Sequence, residues 1–166
     1  EVIPLMQEEN MLATEYEKLL AGAKIDWEGE TLNLSLLTPY LTSADPEVRR
    51  KAAEKQNEYF ESVSGKLDEL YDKLVKNRTE QAKKLGFENY TELGYLRMQR
   101  NCYGREEVEN LRRQVKEVFV PFAEKLYEKR RQRLGLETMT WSDEQVFGPE
   151  GSPQPEGTPE EILAHE

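Results

Sequence analysis

Apolar positions recur at spacings of three and four over most of this chain, and each run of them predicts a helix. From Val2 to Leu20, the residues Leu5, Leu12, Tyr16, Leu19 and Leu20 fall close to one helical face. Lys24-Ile25-Asp26-Trp27 and Thr31-Leu32-Asn33 then flank Glu28-Gly29, which predicts a short hairpin near 24–33. A small helix is expected from about Leu34 to Leu41. Asp45-Pro46-Glu47 is a strong helix start, with acid near the positive end of the dipole. The helix it opens is expected to run to Leu85, where Gly86 tolerates positive φ. At 1.5 Å per residue, about 40 residues make a helix of roughly 60 Å. Within it Phe60, Val63, Leu67, Leu70 and Leu74 form the seam of long antiparallel helix packing, and Gly65 marks a candidate bend.

The second half continues in the same manner. Asn89 to Arg100 reads as a shorter helix rich in Tyr, Leu and Met. Val108, Leu111, Val115, Val118, Phe122 and Leu126 set out another long face from about Arg105 to Leu134. Pro121 falls inside it and predicts a kink rather than a stop, because proline removes one backbone donor and crowds the preceding turn. Beyond Gly135 the pattern changes. Met139-Thr140-Trp141 is a candidate strand, and 136–157 reads as an irregular, Pro/Gly-rich connector. Thr158-Pro159-Glu160-Glu161 has the form of a capping box, so 158–166 is expected to be the start of a truncated helix. The fold class is therefore all-α in the main, with long antiparallel helices and a small β-hairpin. Residues 1–135 form its helical scaffold.

Composition narrows the function classes. A formal net charge of −10 argues against a nucleic-acid partner, because phosphate binding needs clustered basic charge. No apolar run approaches the ~20 residues that span a bilayer, so no membrane role is expected. Cys102 is the single cysteine, which excludes an internal disulfide framework and makes the cytoplasm the expected compartment. Three glycosylation-like tripeptides begin at Asn33, Asn77 and Asn89; Asn77 lies inside a helical pattern, and all three are read as chance matches.

Candidate chemistry is sparse. A catalytic zinc takes three protein ligands from His, Cys and carboxylates, whereas this chain has one His, His165, far in sequence from Cys102. His165-Glu166 is read as an ordinary helix pair rather than as the start of a His-Glu-x-x-His motif. A nucleophile–base–orienter triad lacks its base, and no phosphate-binding glycine pattern occurs. No catalytic or metal-binding residue is therefore assigned. The densest cluster of unusual residues runs from Leu85 to Tyr103. Its candidates for peptide binding are Tyr95, Arg97, Arg100 and Tyr103, an aromatic and cationic patch suited to a carboxylate or carbonyl. A structural role is favoured for them, with the arginines paired to acids on neighbouring helices and the tyrosines in the core.

The same segment carries a family resemblance. Ala82-Lys83-Lys84-Leu85-Gly86-Phe87-Glu88-Asn89-Tyr90, followed by Glu92-Leu93-Gly94-Tyr95 and Arg97-Met98, resembles the signature region of oligoendopeptidase F and the thimet-type zinc oligopeptidases. Met6-Gln7-Glu8-Glu9-Asn10, Pro46-Glu47-Val48-Arg49-Arg50, Val120-Pro121, Gly151-Ser152-Pro153-Gln154-Pro155 and Gly157-Thr158-Pro159-Glu160-Glu161-Ile162-Leu163 agree in order. One departure is Asn101-Cys102-Tyr103, where many relatives carry an acid before the tyrosine.

The resemblance implies a two-lobed helical peptidase that cuts short peptides. It also implies a zinc held by a His-Glu-x-x-His helix and a further Glu, all beyond this chain's last residue. No zinc ligand is carried over. On this reading the chain is a non-catalytic helical segment of a zinc oligopeptidase, whose partners are short peptide substrates and the rest of the peptidase chain. The alternative is a stand-alone helical binding or scaffold module. A coiled-coil dimerisation element is the weaker third reading.

Overall fold

The computed structural model describes residues 2–151 and 157–164. The expectations placed on Ser152–Glu156 and on His165-Glu166 lie outside the described residues. The frame is a pair of antiparallel helices, α1 (Ile3–Ala21) and α3 (Pro46–Lys84). The start of α1 lies beside the end of α3, where Asn77 donates to the Leu5 carbonyl at 3.0 Å. Tyr59, much earlier in α3, donates its hydroxyl to the Leu19 carbonyl near the end of α1. Along this seam Leu70 is buried, and Val63, Leu67 and Leu74 are half-buried.

Between these helices the chain folds a small lid over the first turns of α3. Strands β1 (Ile25–Trp27) and β2 (Glu30–Leu32) pair antiparallel, with Trp27 opposite Glu30. Glu28 and Gly29 have φ of 53° and 90°, so both turn residues are left-handed, as a two-residue hairpin turn requires. Helix α2 (Leu34–Leu41) follows, with the Asn33 side chain accepting from the Leu36 amide at 2.8 Å. Ile25, Trp27, Leu32 and Leu37 close on Ala52 to make the core. Ala52 and the adjacent Ala53 are fully buried, and their small side chains let the hairpin and α2 approach the α3 backbone. The Trp27 and Tyr40 rings meet with centroids 4.7 Å apart.

Helix α3 runs for 39 residues from its Asp45 cap, unbroken at Gly65. A sharp turn at Gly86 (φ 85°) leads into α4 (Tyr90–Arg97), capped by Asn89, which packs on α3. Next come α5 (Arg105–Gln114), a π turn (Val115–Phe119) and α6 (Val120–Arg133), which are continuous. Pro121 accounts for the π turn. Its ring nitrogen cannot donate to the carbonyl four residues back, and the wider turn, with Val120 N–H bonded to the Val115 carbonyl, relieves that misfit.

At Met139-Thr140-Trp141 the structure departs from the sequence expectation. Thr140 caps a 3-10 turn (Trp141–Asp143) instead of continuing a strand, because its amide and hydroxyl both donate to the Asp143 carboxylate, at 2.9 and 2.8 Å. Helix α7 (Pro159–Ala164) opens with the capping box: the Thr158 amide donates to Glu161 and the Glu161 amide to the Thr158 hydroxyl.

Candidate functional site

The residues singled out around α4 surround a buried polar junction of three helices. Glu9 sits on the inward face of α1 between Leu5 and Leu12, and is 6% exposed. One carboxylate oxygen accepts from Arg78 Nε at 2.8 Å; the other accepts from Arg97 Nη1 and Gln81 Nε2, each at 2.9 Å. Gln81 also donates to Asn77 Oδ1 at 2.7 Å, and Asn77 in turn donates to Glu8 at 2.7 Å. Arg97 Nη1 lies 3.0 Å from the Tyr90 hydroxyl, and both Arg78 and Arg97 stand over the Tyr90 ring. Burial pushes the Glu9 carboxyl up. The hydrogen bonds from Gln81, Arg97 and Arg78 outweigh that and hold it below the usual carboxylate range. The Arg97 pKa is raised, chiefly by its hydrogen bond to Glu9 and against the opposing effect of burial.

The four predicted residues therefore divide. Arg97 is turned to Glu9. Arg100 stands over the Tyr95 ring at 5.3 Å. Tyr95 also lines an open groove of about 450 Å³ with Phe87, Asn89, Glu92, Leu96 and Arg105. Tyr103 is exposed in the loop that leads to α5. The structure brings Tyr95 and Arg100 together and separates Arg97 from them. Sequence reasoning passed over Glu9 and Gln81. The signal was a charged residue on the apolar stripe of α1, three residues before Leu12 and four after Leu5.

A second buried ion pair lies at the opposite end of α3. Arg49 donates to Asp143 at 2.6 Å, with side chains 2% and 7% exposed, and to the Ser43 and Ala44 carbonyls at 2.8 and 2.9 Å. Burial raises the Asp143 carboxyl; hydrogen bonds from Arg49 and Thr140 overcome this and lower it on balance. These polar clusters fasten helices to one another. Among the described residues, no group of three or more His, Cys, Asp or Glu is arranged to hold a metal ion. The donors among the described residues do not fit a zinc site.

A family model, peptidase family M3, matches residues 40–144. The chain belongs to peptidase family M3. Three solved structures share its shape. An oligoendopeptidase F from Bacillus anthracis has 41% identity and a TM-score of 0.91 over 99% of this chain and 30% of that one. A second oligoendopeptidase F has 44% identity and a TM-score of 0.94 over 98% of this chain and 29% of that one. PZ peptidase A, solved with an inhibitor, has 43% identity and a TM-score of 0.94 with the same coverage. The chain thus spans about 30% of the length of these M3 relatives. No curated protein matches it. Among the described residues, no helix is long and apolar enough to cross a membrane.

Proposed function

We propose that this M3 chain is the helical scaffold segment of a zinc-dependent oligopeptidase that hydrolyses peptide bonds in short peptides. The observation that carries the reading is 41–44% identity to oligoendopeptidase F and PZ peptidase A with TM-scores of 0.91–0.94. Residues 1–135 form the scaffold, 136–157 a connector, and 158 opens a further helix. The zinc is assigned to the rest of the peptidase; the two buried carboxylates of this segment are engaged by arginines, Glu9 by Arg78 and Arg97 and Asp143 by Arg49. Arg97 then acts as a structural residue behind α4. Tyr95, Arg100 and Tyr103 form the outer patch that a peptide carboxylate or carbonyl could meet. The compartment is the cytoplasm.

The test is hydrolysis of quenched fluorescent peptides by the full-length gene product and by the 166-residue chain. Chelator-sensitive cleavage by the former and none by the latter is expected. Chelator-sensitive turnover by the chain alone, or none by the full-length product with zinc, sinks the reading.

A further inference from the structure

Helix α5, the π turn and α6 stand clear of the other helices, with every residue from Glu109 to Phe122 exposed, and one side of them is apolar. Leu111, Val115, Val118, Phe119, Phe122 and Leu126 lie along it and are all exposed, Val118 by 71% and Phe119 by 60%. The Phe119 and Phe122 rings touch, with centroids 6.4 Å apart, so the exposed groups are continuous. Their spacings of four, three, one, three and four keep them on one side of the helix, and the stripe runs about 22 Å at 1.5 Å per residue. The helix is fastened to the rest of the molecule near its end, where Arg130 donates to the Glu144 carbonyl and Arg133 to the Phe147 carbonyl. Those ties leave the stripe facing solvent. A stripe of this size is uncommon on a soluble surface unless something covers it.

We propose that this stripe seats an apolar helical face of the remaining part of a longer M3 peptidase chain. This rests on reading the 166 residues as a segment of such a peptidase. Two observations choose the occupant. The relatives keep this segment's shape over 98–99% of its length, so the stripe does not close on the segment itself, and they are about three times as long. The stripe's character also favours a helix over an extended peptide that adds to a sheet. Such a peptide binds by main-chain hydrogen bonds to a strand edge, whereas the main chain of a helix interior is already paired, and apolar groups three and four apart fit another helix ridge into groove.

The experiment compares thiol labelling in the full-length gene product and in the 166-residue chain, read peptide by peptide by mass spectrometry. Cysteine is placed singly at Val118→Cys, Phe122→Cys and, as a control, Tyr71→Cys, an exposed apolar position on α3, each in a Cys102→Ser background. In the full-length product, Val118→Cys and Phe122→Cys should react at least ~10-fold more slowly than in the 166-residue chain. Tyr71→Cys should react alike in both. Equal rates at the two stripe positions overturn the proposal. So does protection that rises with the concentration of the 166-residue chain alone, which would mean a second copy, and protection that appears only when a short peptide is added. Loss of peptidase activity with labelling protection intact would instead remove the proposed function and leave this interface standing.

Discussion

Arg97 on α4 donates to the buried carboxylate of Glu9 on α1 at 2.9 Å, across 88 residues of sequence. Glu9 is also shared with Arg78 and Gln81 of α3, so one carboxylate joins three helices. Glu9→Gln removes the charge and leaves both arginines facing a neutral amide. Arg78 and Arg97 are themselves 42% and 37% exposed and can turn to water, which discounts the loss. The expected cost is about 1–3 kcal/mol, read as a lower urea midpoint with an unchanged slope. An unchanged midpoint would show that the junction is decorative.

The Arg49–Asp143 pair should dominate the acid limb of stability, since both partners are buried. The folded state holds the Asp143 carboxyl below its usual value, and therefore binds its proton less readily than the unfolded state does. Its contribution is fully present above the unfolded pKa, about 4, and is lost as pH falls through the lower folded value. Glu9 is depressed in the same direction and adds to the same window. Asp143→Asn should lower stability at neutral pH by about 3–5 kcal/mol, because Arg49 keeps its charge without a counterion. It should also flatten the decline below pH ~4. Denaturation across pH 2–7 reads both effects. An acid limb as steep in the variant as in the parent would refute the assignment.

The helices were legible in the sequence because each carries its own period and its own start signal. Asp45-Pro46 opens α3 and Asn89 caps α4, and both are short-range devices. The hairpin turn at Glu28-Gly29 is equally local. Two features were not legible. Arg49 and Asp143 are 94 residues apart, and nothing in the spacing of either announces the other. Thr140 favours a strand by type, yet its hydroxyl and amide find Asp143 three residues on, a local competition that the apolar pattern does not register. The Tyr95–Arg100 patch was visible as unusual composition. An acid partner on a neighbouring helix was the favoured expectation for Arg97; that the acid is Glu9, while Arg100 stands over the Tyr95 ring, depends on how α4 lies against α1 and α3, which only packing decides.

Gly29 offers a test of the hairpin. Its φ is 90°, and the space around it is open, so an added Cβ meets no neighbour. Gly29→Ala therefore isolates the backbone cost, expected at about 1 kcal/mol. Thermal unfolding followed by circular dichroism should show a fall of a few degrees, with native helicity kept at low temperature. A variant as stable as the parent would show that the turn relaxes to another form without penalty.

Among the described residues Arg130 is buried like Arg49, and its setting differs. It is 8% exposed, lies over the Tyr127 and Phe147 rings at 4.7 and 5.0 Å, and donates through Nη1 to the Glu144 carbonyl at 2.9 Å. No carboxylate appears among the contacts described for it. The planar guanidinium suits this site because it can stack on rings while its edge donates, which a compact ammonium does less well. Arg130→Lys keeps the charge and loses that geometry, at an expected cost of about 1–2 kcal/mol. Arg130→Met keeps the length and removes the buried charge, and should cost less than the lysine change. Urea titration of both variants decides the point: a methionine variant less stable than the lysine one would mean that the charge, rather than the stacked plane, secures the end of α6.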